Sequence, residues 1–193
     1  MMKRLAVTVL AVLGVVAFLP ANAAASPTAP AELRMAAAGI DLANLKPGYV
    51  VNGYEIVWGD RDAVMYFGRE SDRAVNGVHD CPTDYACLFE NSNFDDQNGD
   101  GVRDGRRIVA LKGRDVWHNL GAWYDFDNKM SSWVNKGVHA RWYWHDWRTP
   151  TPNECMYPWF SYDVAKHAPS WNDQASTLWI YQATVRPCAH PNS

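Results

Sequence analysis

The sequence predicts an all-β domain with Greek-key or sandwich packing, on three observations. Past about residue 80, short aromatic and aliphatic runs alternate with Gly, Asn, Asp and Pro, a pattern typical of strands joined by turns. Beyond the apolar N-terminal run, no segment sustains the 3.6-residue periodicity of a helix. A hexapeptide of oxygen-bearing side chains also occurs twice, and an internal repeat indicates duplicated units that pack on each other.

The N-terminus has the pattern of a secretory signal. Lys3 and Arg4 precede an apolar run over residues 5–19, and Ala21-Asn22-Ala23 supplies a small-x-small cleavage site. We therefore expect residues 1–23 to be a signal peptide and the mature protein to be secreted into the extracellular space. Cleavage two residues later and an uncleaved signal anchor are the alternatives.

Composition narrows the function classes. Without the signal the chain keeps 16 basic and 21 acidic residues, a net charge of −5. A mildly acidic surface argues against nucleic acid or anionic lipid as the partner. We expect no membrane association after signal cleavage, and a monomer.

Four cysteines in an oxidising compartment suggest two disulfides. The spacing favours Cys81–Cys87, which closes a small loop, and Cys155–Cys188, which ties down the C-terminus. The sequence alone permits three pairings.

The region before the main domain, residues 24–80, divides into two parts. Residues 24–41 are rich in Ala and Pro and are interpreted as a flexible leader or a propeptide-like linker. Residues 48–67 contain two β-rich runs on either side of Gly59-Asp60-Arg61-Asp62, which indicates a hairpin extension. This hairpin either packs on the main domain or is a removable pro-segment.

The main domain is predicted to span residues 81–190. Its strand candidates are residues 86–90, 107–111, 132–135, 139–144 and 178–182, and residues 116–120 are interpreted as a helical turn.

The two hexapeptides are Asp127-Asn128-Lys129-Met130-Ser131-Ser132 and Asn172-Asp173-Gln174-Ala175-Ser176-Thr177. Each has two carboxylate or carboxamide side chains, two variable residues and two hydroxyl side chains. Oxygen donors suit a hard cation such as Ca²⁺ better than a soft transition metal. The alternative is that the loops only cap strands through Asx and Ser/Thr turns.

Upstream of each hexapeptide lies a pair of aromatic residues five positions apart. These pairs are Phe89 with Phe94 and Trp142 with Trp147. The combination resembles the βγ-crystallin superfamily, whose Greek keys open with an aromatic hairpin and close with such a calcium loop. The resemblance implies a single crystallin-like domain of two Greek-key motifs, a β-sandwich. The glycine that usually follows the second aromatic is replaced by Asp96 and Thr149, so the hairpins are altered.

A narrower resemblance involves the segments that begin at Cys81, Trp117 and Asn128. They are similar to the secreted actinobacterial peptidase-inhibitor family, which shares the crystallin-type fold and includes inhibitors of metalloproteinases. This resemblance implies a non-enzymatic protein whose partner is an extracellular metallopeptidase. The alternative function is a calcium-stabilised extracellular binding or stress module without inhibitory activity.

The crystallin resemblance also implies two calcium sites, each between one hexapeptide and the opening hairpin of the other motif. One is expected to use Asp127 or Asn128, the Lys129 carbonyl, Ser131 and the Tyr143 backbone. The other is expected to use Asn172 or Asp173, the Gln174 carbonyl, Ser176 and the Glu90 backbone.

A third cation candidate lies in the first hairpin. Its donors match positions 1, 3, 5, 7 and 9 of an EF-hand-type loop: Asp96, Asn98, Asp100, the Val102 carbonyl and Asp104. Position 12 is Arg107 instead of the bidentate glutamate, and an acidic Gly-rich turn is the alternative.

The sequence shows no pattern for catalysis. The six histidines lack zinc-ligand spacing, and no serine nucleophile elbow or phosphate-binding glycine loop is present. Trp142, Trp144 and Trp147 are candidates for a glycan-stacking platform of the binding-module alternative, although core packing is the commoner role of such residues.

Overall fold

The computed structural model describes residues 30–59, 61–68, 81–95, 107–144 and 153–182. Most ordered segments are strands, in two antiparallel sheets, as expected for an all-β protein. The strands are β1 Tyr49–Asn52, β2 Glu55–Trp58, β3 Ala63–Tyr66, β4 Ala86–Phe89, β5 Ile108–Leu111, β6 Val116–Asn119, β7 Ser132–Asn135, β8 Ala140–Tyr143, β9 Asn153–Met156, β10 Ser161–Asp163 and β11 Thr177–Ile180. The helices are α1 Ala31–Ala37, α2 Leu120–Tyr124 and α3 Val164–His167, with short 3-10 segments at Leu42–Asn44, Ser92–Asp95 and Pro169–Trp171.

The strand order places one strand of each half of the main domain in the opposite sheet. The seven-stranded sheet has the order β1-β2-β3-β5-β4-β7-β10, and the four-stranded sheet has the order β6-β11-β8-β9. Strands β4 to β7 form one unit and β8 to β11 the other. In both units the third strand, β6 or β10, pairs with the last strand of the other unit. The two units are therefore held together by backbone hydrogen bonds as well as by packing.

The apolar side chains between the sheets form one core. Alternation of burial along β8 points Ala140 and Trp142 inward, while Arg141 and Tyr143 are half-buried. Trp142 is the largest fully buried side chain of the described residues. It therefore belongs to the core, and its assignment to a glycan platform is wrong. Trp144 packs against Trp171 at 6.3 Å between ring centroids, and Trp147 lies outside the described residues.

The segment before the main domain is integrated into this core. Residues 31–68, called here the N-terminal segment, begin with α1, which buries Met35, and continue through the buried Leu45. Its last strand, β3, pairs with β5 in register from Ala63↔Leu111. The prediction of a flexible leader is wrong for residues 31–41, because Met35 and Ile40 have apolar partners that no local pattern reveals. The predicted hairpin is formed by β2 and β3. It extends the large sheet edge to edge, and β1 is an additional strand.

All five strand candidates of the main domain are strands in the structure. The helical turn predicted at residues 116–120 is wrong, because β6 occupies Val116–Asn119 and α2 begins at Leu120. The Asn119 side chain accepts a hydrogen bond from the Ala122 N–H at 2.8 Å, so the helix cap lies at the end of the strand. The sequence did not predict β9 and β10, which are short, and pairing with β8 and β7 fixes them.

One predicted disulfide is present, since Cys81 is bonded to Cys87, and both residues are buried. Cys155 is also disulfide-bonded, and its predicted partner Cys188 lies outside the described residues. Within the described part of the chain, no helix has the length and apolar character needed to cross a membrane.

Candidate metal site and exposed aromatic loop

The two hexapeptides face each other with approximate twofold symmetry. The Asn128 N–H donates to the Ala175 carbonyl at 3.0 Å, and the Asp173 N–H donates to the Met130 carbonyl at 3.1 Å. Each bond joins the second residue of one loop to the fourth residue of the other. Asn128 and Asp173 also share a left-handed backbone, with φ of 52° and 55°. The sequence repeat is therefore a structural repeat.

The first candidate site lies at Glu90, Ser131 and Asp173. The Ser131 hydroxyl is 3.3 Å from Oδ1 of Asp173. Asn172 donates from Nδ2 to Asp173, whereas its own Oδ1 is buried without a hydrogen-bond partner among the described residues. These groups open on a cavity of about 420 Å³, lined by Glu90, Asn91, Ser92, Asn128, Lys129, Ser131, Ala165, Asn172 and Asp173.

The second candidate site is the symmetry-related group of Asn128, Trp144 and Ser176. The Ser176 hydroxyl is 3.4 Å from Oδ1 of Asn128 and donates to the Trp144 carbonyl at 2.9 Å. At the position that contacts the serine hydroxyl, the neutral Asn128 takes the place of the anionic Asp173.

This geometry corrects how the predicted site residues are grouped. The sequence expectation places each serine with the amide or carboxylate of its own hexapeptide. In the structure Ser131 contacts Asp173 and Ser176 contacts Asn128, so the hydroxyls are exchanged between the loops. Local spacing could not show this, because the exchange arises from the contact between the two units. The exposed Asp127 accepts a hydrogen bond from its neighbour Asn128, and the Gln174 side chain donates to the Asn172 carbonyl.

The carbonyl expected at Tyr143 is also displaced by one residue. Phe89 pairs with Ser132, and Tyr143 pairs with Thr177, so strand register makes Tyr143 the equivalent of Phe89. The Tyr143 carbonyl accepts the Ser176 N–H, and the Trp144 carbonyl is the one beside the Ser176 hydroxyl. Trp144, rather than Tyr143, is therefore the structural equivalent of Glu90.

The donor set of the first site fits a hard cation. Among the described residues no group of three or more His, Cys, Asp or Glu side chains is placed to hold a metal. A cation at Asp173 would need hydroxyl, amide and carbonyl oxygens in addition to one carboxylate, which is chemistry that Ca²⁺ accepts. The orphaned Oδ1 of Asn172 is an oxygen of this kind. Burial raises the pKa of Asp173, the Ser131 hydrogen bond opposes that shift, and the Glu90 charge adds to it.

The EF-hand-type candidate cannot be placed in the same way. Asp96, Asn98, Asp100 and Asp104 lie outside the described residues. Arg107, at position 12 of that loop, is buried and forms ion pairs with Glu90 and Asp125.

A second feature of the surface is an exposed aromatic loop between β9 and β10. Trp159 and Phe160 are 67% and 51% exposed, although both are large apolar side chains. Residues 157–160, called here the aromatic loop, form a turn closed by a bond from the Phe160 N–H to the Tyr157 carbonyl. Pro158 takes the second position, and Trp159, with φ of 68°, takes the third. A type II turn favours glycine at that third position, so a tryptophan there is strained.

The aromatic loop is held by β7. The Trp159 N–H donates to the Asn135 carbonyl at 2.8 Å, and the Asn135 N–H donates to the Phe160 carbonyl at 2.8 Å. The fully buried Asn135 side chain donates to the carbonyls of Met156 and Val138 and accepts from the backbone of Gly137 and Val138. The Trp159 ring lies over Gly137, where a Cβ would be 2.9 Å from Cζ2.

The loop closed by Cys81–Cys87 lies on the other side of the same strand end. The Asp84 N–H donates to the Lys136 carbonyl, and the Lys136 N–H donates to the Tyr85 carbonyl, both at 2.8 Å. Thr83 and Asp84 are exposed at its tip. The aromatic loop is not among the site residues predicted from the sequence. The sequence feature that could have indicated this loop is the run Tyr-Pro-Trp-Phe, in which Pro158 indicates a turn and two aromatic residues follow directly.

The described histidines do not form a catalytic arrangement. Buried His118 shares a 2.9 Å hydrogen bond between Nδ1 and the Tyr124 hydroxyl. Burial lowers the pKa of His118 to about 4. His79, His145 and His190 lie outside the described residues.

Comparison with known families agrees with part of the sequence prediction. The model of peptidase inhibitor family I36 matches residues 74–157. No curated protein matches the chain, and neither does any solved structure. The matched segment contains the Cys81–Cys87 loop and the first hexapeptide, and it ends just before Trp159. The similarity supports an inhibitor-like function with a peptidase as partner, and it points to a non-enzymatic protein.

Proposed function

We propose that this protein is a secreted inhibitor of an extracellular metallopeptidase and that the aromatic loop is its main contact. The observation that carries the proposal is the exposure of Trp159 and Phe160 on a backbone held by Asn135. The family similarity supplies the partner class, a peptidase, and the metallopeptidase subclass comes from the resemblance of the sequence.

Pre-organisation of its backbone favours the aromatic loop as a binding surface. Tryptophan is among the residues that most often dominate binding energy at interfaces. Burying a large apolar side chain contributes about 1.5–3 kcal/mol, and a fixed loop loses less conformational entropy on binding than a mobile one. The left-handed backbone at Trp159 is strained for a tryptophan. Because the side chain is mostly exposed, burial within the fold does not explain why a tryptophan occupies this position.

The alternative contact is the Cys81–Cys87 loop, which presents the polar Thr83 and Asp84. Both loops flank the end of β7, so one partner surface can cover them together. The exposed apolar surface of Trp159 and Phe160 favours the aromatic loop as the anchor.

Titrating a thermolysin-like peptidase with the full chain tests the proposal. We expect stoichiometric loss of peptidase activity and a complex that co-elutes in gel filtration. Full activity at micromolar inhibitor would remove this peptidase class from the proposal. Retention on insoluble polysaccharide without inhibition would favour the alternative extracellular binding module.

We also propose that the two hexapeptides bind Ca²⁺ within paired crystallin-type Greek keys. The exchange of β6 and β10 between the sheets supports the Greek-key assignment. The symmetric loop contacts and the orphaned Asn172 oxygen support cation binding. Asp173, Asn172, Ser131 and the Glu90 backbone would hold one ion, and Asn128, Ser176 and the Trp144 backbone would hold the other. Bound Ca²⁺ would supply positive charge that holds the two loops together.

Thermal unfolding with Ca²⁺ and with a chelator tests this second proposal. A ligand at about 100 times its Kd stabilises the fold by roughly 2.7 kcal/mol, which is several degrees for a domain of this size. We expect this shift for the wild type and a reduced shift for Ser131→Arg, which places a cation in the first site. Equal unfolding temperatures with Ca²⁺ and with chelator would contradict calcium binding.

A further inference from the structure

One buried guanidinium joins the two acidic side chains Glu90 and Asp125. Arg107 is 3% exposed, and its Nε and Nη2 donate to Glu90 at 3.2 and 2.8 Å. Its Nη1 lies 2.7 Å from both Oδ2 and the carbonyl of Asp125. A planar fork bonded on both sides has a single orientation, so the relative position of Glu90 and Asp125 is fixed by Arg107.

The Glu90 end of this network borders the first candidate site. Oε2 of Glu90 accepts the Arg107 backbone N–H at 3.1 Å, and the Glu90 N–H donates to the Arg107 carbonyl at 3.0 Å. Both the side chain and the backbone of Glu90 are therefore bound to Arg107. Glu90 lines the cavity beside Asp173, so Arg107 restrains a residue of the first candidate site.

The Asp125 end reaches two other parts of the molecule. Its carboxylate accepts the Asp41 N–H at 3.1 Å and Nδ2 of Asn44 at 3.3 Å, which belong to the N-terminal segment. Oδ2 also lies 3.7 Å from Nζ of Lys129 in the first hexapeptide. Burial opposes ionisation of Asp125, but the Asp41 N–H and the Lys129 and Arg107 charges lower its pKa overall. The group is thus a carboxylate at neutral pH.

We propose that Arg107 is a positioning residue for the first calcium site, and that Glu90 and Asp125 couple calcium binding to the packing of the N-terminal segment. This inference rests on the calcium binding proposed above. Residues that hydrogen-bond to the direct metal ligands orient those ligands. Loss of such a residue typically weakens metal binding about 10–100-fold. Coupling between two sites is reciprocal, so the packed N-terminal segment raises calcium affinity and calcium strengthens its packing.

Calorimetric titration of the full chain with Ca²⁺ tests the positioning role. Arg107→Lys keeps the charge and loses the fork, and we expect its calcium affinity at the first site to fall about tenfold. Asn44→Ala removes one bond to Asp125 at a residue that does not line the cavity, and a smaller fall is expected. Asn52→Ala, at an exposed residue of β1, is the matched control and should bind as the wild type does.

Limited proteolysis of the N-terminal segment tests the coupling separately. In the wild type we expect slower cleavage within residues 31–48 with Ca²⁺ than with chelator, and a smaller difference in Asn44→Ala. This variant keeps the test decisive if Arg107→Lys does not fold.

The outcomes separate the two proposals. A wild type that shows no binding heat and no thermal shift overturns the proposed calcium function, and the positioning role with it. A wild type that binds Ca²⁺ with the same affinity as Arg107→Lys and Asn44→Ala overturns the positioning role alone. Equal cleavage rates with Ca²⁺ and chelator, in a wild type that binds Ca²⁺, overturn the coupling.

Discussion

The hydroxyl of Ser131 in the first hexapeptide lies 3.3 Å from the carboxylate of Asp173 in the second. The symmetric contact, Ser176 with Asn128, has a neutral amide in place of that carboxylate. The side chains that contact the two serine hydroxyls therefore differ by one charge. Because the charge of the ligands tunes calcium affinity, the two sites should not be equivalent.

Replacing the acid of the first site with an amide, and the amide of the second site with an acid, should change the two calcium affinities in opposite directions. We expect Asp173→Asn to weaken the tighter calcium site by roughly tenfold and Asn128→Asp to strengthen the weaker one by a similar factor. Calorimetric titration resolves the two steps. Affinities that do not respond to either change would show that neither side chain is a ligand.

Asn135 should be the residue on which the aromatic loop depends most. Asn135→Ala removes four hydrogen bonds of a fully buried side chain, including the Nδ2 donors to the Met156 and Val138 carbonyls. A loss of about 2–4 kcal/mol in the free energy of unfolding is expected. Urea unfolding measures it, with Asn52→Ala as the exposed control, and a loss as small as that of the control would count against the assigned role.

Two glycine substitutions separate backbone strain from displacement of Trp159. Gly137 has φ of 114° and lies beneath the Trp159 ring, whereas Gly53 has φ of 60° and no neighbouring atom within 4 Å. Alanine at either position is strained, by about 1 kcal/mol or more. Only Gly137→Ala should also weaken peptidase inhibition, because its Cβ displaces the ring. Equal inhibition by the two variants would mean that the position of Trp159 is unimportant.

Stability should fall with acid partly through His118. Its pKa in the folded protein, about 4, lies below its ordinary value of 6.5, so the unfolded chain binds the proton first. The stability that depends on a neutral His118 is complete above pH 6.5. It declines as the pH falls towards 4, by roughly 3 kcal/mol at most in the free energy of unfolding. The raised pKa of Asp173 acts in the opposite direction. Urea unfolding at several pH values should therefore show a flatter profile for His118→Gln than for the wild type, and identical slopes would contradict this assignment.

The periodicity of the sequence was sufficient to predict the strands of the main domain that are rich in aromatic and β-branched residues. It was insufficient for β9, with the sequence Asn-Glu-Cys-Met, because that strand exists through pairing with β8. The helix that buries Met35 was missed for a similar reason, since its apolar partners come from distant parts of the chain.

The site shows the same division between local and long-range information. The hexapeptides were found from their residue types, and their exchange of Ser131 and Ser176 required the contact between the units. The Arg107 network depends on residues far apart in sequence. Trp159 was missed because its exposure and left-handed backbone are properties of the folded loop.

The inhibition constant of Trp159→Gly against a metallopeptidase that the wild type inhibits tests the central claim most directly. Glycine relieves the left-handed strain, so the variant should fold with a stability within about 1 kcal/mol of the wild type. We expect its inhibition constant to rise at least 30-fold, about 2 kcal/mol. Val50→Ala, which shortens a 66% exposed side chain at the opposite edge of the large sheet, should leave the constant unchanged. Equal inhibition by the wild type and a folded Trp159→Gly would contradict the assignment of the aromatic loop as the inhibitory contact.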